Sequence, residues 1–195
     1  MTLIQKLFTL FLLFILVSGS FAGPSAEKYK IGDVVSDFTI ENFDGNSYSL
    51  SKSNAKATVI VFISTECPFV QPYTERLINL TNEFTPKGIV IWGINSNSTE
   101  PTDEVINHAN EKKYNFPVLK DNNNVVADIF SAERTPEVFV IDNASMKLIY
   151  HGRIDDNKDA SEVTSNDLQN ALNEFLNGTE ITNKENKAFG CSIKR

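Results

Sequence analysis

The spacing of apolar residues changes several times along the chain, and each change predicts an element. Phe38 and Ile40 stand between polar neighbours, Asp44-Gly45-Asn46 reads as a turn, and Tyr48 and Leu50 resume the alternation, which predicts a short β-hairpin. "ATVIVFIS", residues 57–64, is almost unbroken apolar or β-branched sequence, the pattern of a central strand covered on both faces. From Pro68 the period lengthens. Val70, Tyr73, Leu77, Leu80 and Phe84 recur every three or four positions, predicting a helix that opens at Pro68 and stops at Gly88. "IVIWGI", 89–94, predicts a second buried strand, and Thr102 with Asp103 and Glu104 opens a helix running to about Tyr114. "FPVLKD" predicts a short strand and "VVADIF" a brief helix. "PEVFVID" and "KLIYHGRI" predict two strands joined by a hairpin turn. Thr164 and Asp167 form a capping-box pattern ahead of Leu168, Leu172, Phe175 and Leu176, a terminal amphipathic helix.

Crossover helices between the first buried strands imply parallel pairing with layers on both faces, and the late hairpin adds antiparallel strands. The expectation is an α/β three-layer sandwich: a mixed central sheet, helices on both faces and an N-terminal hairpin. Residues 1–22 read as a signal peptide, with Lys6, an apolar run from Leu7 to Val17, and Ser20 and Ala22 at the small-residue positions of a cleavage site. That run is short for a membrane span. Residues 23–30 then form a polar linker, 31–177 the domain and 178–195 a tail. The protein is expected to be exported, periplasmic or extracellular, with a composition of bacterial type and no membrane association once the leader is cleaved.

With 25 Asp plus Glu against 18 Lys plus Arg, the chain lacks the concentrated positive charge that phosphate backbones require, so no nucleic-acid partner is expected. No glycine-rich phosphate loop follows a strand, and neither an HExxH nor a serine elbow is present. His108 and His151 are not spaced with cysteine as ligands, so no metal and no cofactor is implied. Trp92 and Phe62 read as core residues of buried strands, whereas Phe69 falls on the rim beside Cys67.

The candidate chemistry centres on Cys67 in "FISTECPFVQPYTERL". If a helix opens at Pro68, the first-turn N–H groups face the sulfur and favour thiolate, while Glu66 opposes ionisation if its carboxylate lies close. Thr135-Pro136 in "ERTPEVFV" places a proline at the start of a strand, where a cis peptide would shape a tight approach and a trans one also fits. Cys191 is the other cysteine. About fourteen residues beyond the terminal helix span on the order of 45 Å, enough to bring it back to Cys67. In an oxidising compartment the two could form a structural staple, a redox-active pair, or a pair between subunits. Phe189 and Ile193, apolar residues flanking Cys191, predict that the tail end docks.

Strand, Cys-Pro, helix and a later Thr-Pro together resemble the thioredoxin superfamily, specifically its redoxin or AhpC/TSA-like group, over roughly residues 30–176. "ECPFVQPY", "GINSN", "TPEVFVID", "YHGRIDD" and "GCSIKR" resemble a subgroup with a Cys-Pro-aromatic-Val site and a closing Gly-Cys-X-Ile-Lys segment. The resemblance implies thiol-disulfide or peroxide chemistry on protein disulfides or small thiol or peroxide substrates, with an external reductant. Cys67 is the implied attacking thiol and the loop of Thr135 and cis-Pro136 the substrate-positioning element; Cys191 is a candidate resolving thiol. Two departures stand out. Val70 occupies the position of the usual second cysteine, and Ile60 and Ser64 replace the Pro and Thr of a peroxidatic motif. Ser64 keeps a hydroxyl that could bond a peroxide oxygen, and Arg134 or Arg153 would have to supply the positive charge.

Overall fold

The computed structural model describes residues 28–195; the expected signal peptide and most of the expected linker lie outside the described residues. The order along the chain is β1 (Thr39–Glu41), β2 (Ser47–Ser49), β3 (Ala57–Phe62), α1 (Thr74–Phe84), β4 (Ile89–Asn95), α2 (Thr102–Lys112), β5 (Val118–Lys120), α3 (Val125–Phe130), β6 (Arg134–Thr135), β7 (Glu137–Asp142), β8 (Lys147–Gly152), α4 (Asp167–Leu176) and β9 (Cys191–Ser192). Five strands form the central sheet in the order β5-β4-β3-β7-β8. β3 runs parallel to β4 and β4 to β5, while β7 is antiparallel to β3 and to β8. β1 and β2 form the N-terminal hairpin. This is the expected mixed-sheet sandwich, with a thioredoxin-like arrangement.

All six residues of β3 are buried, because alternate side chains enter two different cores. Val59 and Val61 join Leu77, Phe84 and Leu172 under α1, α2 and α4. Ile60 and Phe62 face the other way, into a core closed by the hairpin and α3. That second core is aromatic: Phe130 lies 5.0 Å from Phe139 and Phe62 5.8 Å from Phe139, ring centroid to ring centroid, in tilted and edge-on contacts. Gly93 is required by packing, since a Cβ there would come within 2.9 Å of both Ile63 and Phe116.

Three expectations are corrected. The helix does not open at Pro68: residues 71–73 form a 3-10 turn and α1 begins at Thr74. Pro72 explains this, for in a helix starting at 68 its ring would strike the carbonyl four residues back and its missing N–H would leave that carbonyl unpaired. The capping box at α4 does not form. Thr164 instead bonds Asp156, and Asp167 accepts from Arg153 and Ser165. The last turns before Gly88 are also tighter than α, a 3-10 segment at 85–87 closed by Gly88 at φ +91.

Candidate active site

Cys67 lies where the chain leaves β3, in a loop built around one hydroxyl. Ser64 Oγ accepts the backbone N–H of Cys67 at 3.1 Å and that of Glu66 at 3.3 Å, and donates its own proton to Glu100. The loop closes with Val70 N–H to the Cys67 carbonyl at 3.0 Å. Glu66 itself is exposed. Glu100, only 2% exposed, takes four donors on its two oxygens: Ser64 and Asn97 on Oε1, the Thr65 N–H and Asn95 on Oε2. Burial alone would push its carboxyl up, but the bonds from Ser64, Thr65 and Asn95 outweigh it and hold the group below its ordinary value.

Opposite Cys67 stands the Thr135-Pro136 peptide, which is cis. A second buried carboxylate fixes this loop. Glu137 Oε2 accepts the N–H groups of Glu133 at 2.8 Å and Arg134 at 2.9 Å, while Oε1 lies 2.8 Å from His151 Nε2. The Cys67 thiol donates to the Thr135 carbonyl at 3.2 Å. The Thr135 hydroxyl is buried with no hydrogen-bond partner among the described residues, and a Cys67 thiolate is an acceptor it can serve.

The tail completes the site. β9 pairs antiparallel with β6, setting Cys191 opposite Thr135 and Ser192 opposite Arg134. Gly190 passes so close to the loop that a Cβ there would sit 2.0 Å from the Thr135 carbonyl oxygen, and its φ of +154 also calls for glycine. Phe189 meets Phe69 edge-on at 6.5 Å, and Ile193 is buried in the aromatic core. Further anchors run both ways along the segment: the Lys194 N–H bonds Asn97 Oδ1 at 2.8 Å, Arg195 reaches the Ala132 carbonyl at 2.9 Å, and the His151 N–H bonds the Lys184 carbonyl at 2.9 Å. With the tail in place Cys67 is only 2% exposed.

Both cysteines are free thiols, with Cys191 placed by β9 opposite Thr135, whose carbonyl the Cys67 thiol bonds. Burial pushes the Cys67 thiol up, but the Cys191 thiol, the Thr135 hydroxyl and the backbone N–H groups of Cys191 and Phe69 outweigh it, so the net shift is downward. Cys191 moves the other way, up to about 11, through burial and then through its bond to Cys67 and the charge there. The surroundings thus favour ionisation at Cys67 and oppose it at Cys191.

The structure therefore brings Cys67, Ser64, Thr135, Pro136 and Cys191 together. Both expected arginines are engaged, one with the tail and one away from it. Arg134 donates to the Gly190 carbonyl at 3.1 Å and Arg153 to Asp167 at 2.6 Å. Glu100, Asn97, Glu137 and His151 escape a reading of the sequence, because nothing local marks a Glu or Asn as buried. Residues 31–150 match the model of the AhpC/TSA family.

The chain belongs to the AhpC/TSA family. That membership places it with the thioredoxin-like thiol redox proteins, oxidoreductase or peroxidase. Among curated proteins it is 28% identical, over 132 residues, to the thiol-disulfide oxidoreductase ResA of Oceanobacillus iheyensis, covering 65% of this chain and 67% of that one. Among solved structures, an uncharacterized conserved protein from Geobacillus kaustophilus is 33% identical at a TM-score of 0.78, over 85% of this chain and 92% of that one. A hypothetical protein from Sinorhizobium meliloti 1021 is 30% identical with the same TM-score of 0.78, over 86% and 96%.

Proposed function

We propose that the protein is an exported thiol-disulfide oxidoreductase in which Cys67 is the nucleophile and Cys191, carried by the tail, is the resolving thiol. The observation that carries this reading is the pairing of β6 with β9, which sets Cys191 opposite Thr135, the residue whose carbonyl the Cys67 thiol bonds beside the cis-proline peptide. Likeness to an oxidoreductase of the ResA type supports it. The apolar leader at 1–22 supports export.

The tail first lifts from β6, exposing Cys67. Its thiolate attacks one sulfur of a protein disulfide: a Cys67–sulfur bond forms, the substrate S–S bond breaks, and the departing sulfur leaves as thiolate and takes a proton. Cys191 then loses its proton and attacks the Cys67 sulfur of this mixed disulfide. A Cys67–Cys191 bond forms and the second substrate sulfur leaves as thiolate. The substrate gains two electrons and two protons, and the protein becomes a disulfide that an external thiol or dithiol reductant returns to its starting state.

Peroxidase chemistry fits the site less well. The Ser64 proton is committed to Glu100, Arg153 is bound to Asp167, and Arg134 holds the Gly190 carbonyl of the tail. The test is mass spectrometry of alkylated protein across graded thiol buffers, alongside turnover of a protein disulfide and of peroxide. A Cys67–Cys191 bond that opens reversibly, with disulfide turnover exceeding peroxide turnover, is the expected result. A Cys67 that stays inert to alkylation and exchange after reduction overturns the reading.

A further inference from the structure

The Glu100 carboxylate touches neither sulfur, yet its partners lead to both. Toward Cys67 it accepts from Ser64 Oγ and from the Thr65 N–H. A carboxylate only accepts, so Ser64 has to point its single proton at Glu100. Both lone pairs of the hydroxyl are then free for the N–H groups of Glu66 and Cys67, which fixes the loop bearing the thiol. Toward Cys191 it accepts from Asn97 Nδ2 at 2.9 Å. That bond orients the amide so that Asn97 Oδ1 meets the N–H of Lys194, three residues past Cys191, at 2.8 Å. The neighbouring Ser98 N–H donates to the Lys194 carbonyl at 2.9 Å, so the tail is held through both backbone groups of one residue.

We propose that Glu100 is a positioning residue for thiol exchange: one buried carboxylate sets the Cys67 loop and the Cys191 tail together and so governs how readily the two sulfurs join. The proposal rests on Cys67 and Cys191 acting as an exchanging pair. Charge is essential to it. A glutamine in the same place would present an N–H₂ to two of the four donors that now converge on the carboxylate, so two of those contacts become donor against donor. Asn95 gives the arrangement a further tie, since its Oδ1 accepts from Lys120 Nζ at 2.8 Å, and Lys120 also donates to the Asn97 carbonyl at 2.7 Å.

The experiment is a titration of the Cys67–Cys191 bond against reduced and oxidised glutathione in full-length protein, comparing wild type, Glu100→Gln and Asn97→Ala. Leu172→Ala, in the core under α4, controls for general loss of stability. For Glu100→Gln the equilibrium constant for forming the intramolecular bond is expected to fall about tenfold or more, the consequence of losing hydrogen bonds to a charged group. Asn97→Ala, which keeps Ser64 and Thr65 on Glu100 but frees the Lys194 N–H, is expected to lower the constant while raising the alkylation rate of Cys67 in reduced protein. Leu172→Ala is expected to leave the constant within about twofold of wild type while lowering the melting temperature. If Glu100→Gln does not fold, Asn97→Ala decides. Constants within about twofold of wild type in the folded variants, or a fall matched by Leu172→Ala, overturn the inference and leave the proposed function standing. A wild type that forms no Cys67–Cys191 bond in oxidised glutathione overturns both.

Discussion

Cys67 stands at the end of β3, whose residues are all buried between two cores, whereas Cys191 arrives on a two-residue strand at the end of a largely polar segment. The first thiol is placed by a loop that Ser64 and the buried Glu100 tie to the end of that strand. The second is placed by a short ladder to β6, one glycine contact, two apolar side chains and the bonds to Asn97 and Ala132. Local openings of such segments cost far less than global unfolding. Under the proposed function the contrast would separate two requirements of exchange: a nucleophile that does not wander, and a second thiol that can leave to admit substrate and return to finish the reaction.

The comparison breaks most completely at Cys67→Ser, where disulfide turnover is expected to fall by about 10³-fold or more because the attacking sulfur is gone. A variant retaining a tenth of the activity would place the nucleophile elsewhere. Cys191→Ser is expected to cost roughly 10²-fold in turnover while still attacking, so that the Cys67 mixed disulfide accumulates and is visible by mass. Gly190→Ala should sharpen the contrast. The added Cβ has no room against Thr135, so the tail lifts, and Cys67 alkylates roughly tenfold faster while the melting temperature moves by only a few degrees. A large drop in melting temperature would show that the tail belongs to the global fold.

The smallest effect lies in pH. The Cys67 shift is downward, so folding favours its thiolate; this contribution is present above the ordinary thiol value of 9.0 and is lost as pH falls through the lowered one. Cys191 is raised to about 11, so its contribution is full below 9.0 and fades as pH rises from there toward 11. Alkylation rates followed against pH should therefore half-rise below 9.0 for Cys67 and near 11 for Cys191. Two thiols rising together at about 9.0 would remove the distinction.

Much of this architecture was legible because it rests on periodicity. The unbroken apolar runs at 57–64 and 138–141 report buried strands through spacing alone, and Asp44-Gly45-Asn46 reports the turn between β1 and β2. Phe189 and Ile193 announced a docked tail, and Thr135-Pro136 the loop that faces Cys67. Other features depend on partners distant in sequence. Glu100 reads as a surface residue until Ser64, Thr65, Asn95 and Asn97 are seen around it. The start of α1 was misplaced because apolar spacing continued through Pro72, and only the steric demand of that proline decides where α geometry begins. The α4 cap failed for a similar reason, as Asp156 competed for Thr164.

The return of the tail to β6 also has a topological consequence. Joined through sulfur, Cys67 and Cys191 close residues 68–190 into a covalent ring, and the exposed stretch around Thr182 and Asn183 lies within it. A protease cut there sheds a C-terminal peptide from the reduced protein, but in the oxidised protein the fragment stays attached. The redox state of the couple is thus written into chain connectivity, where a change of mass on a non-reducing gel reads it directly.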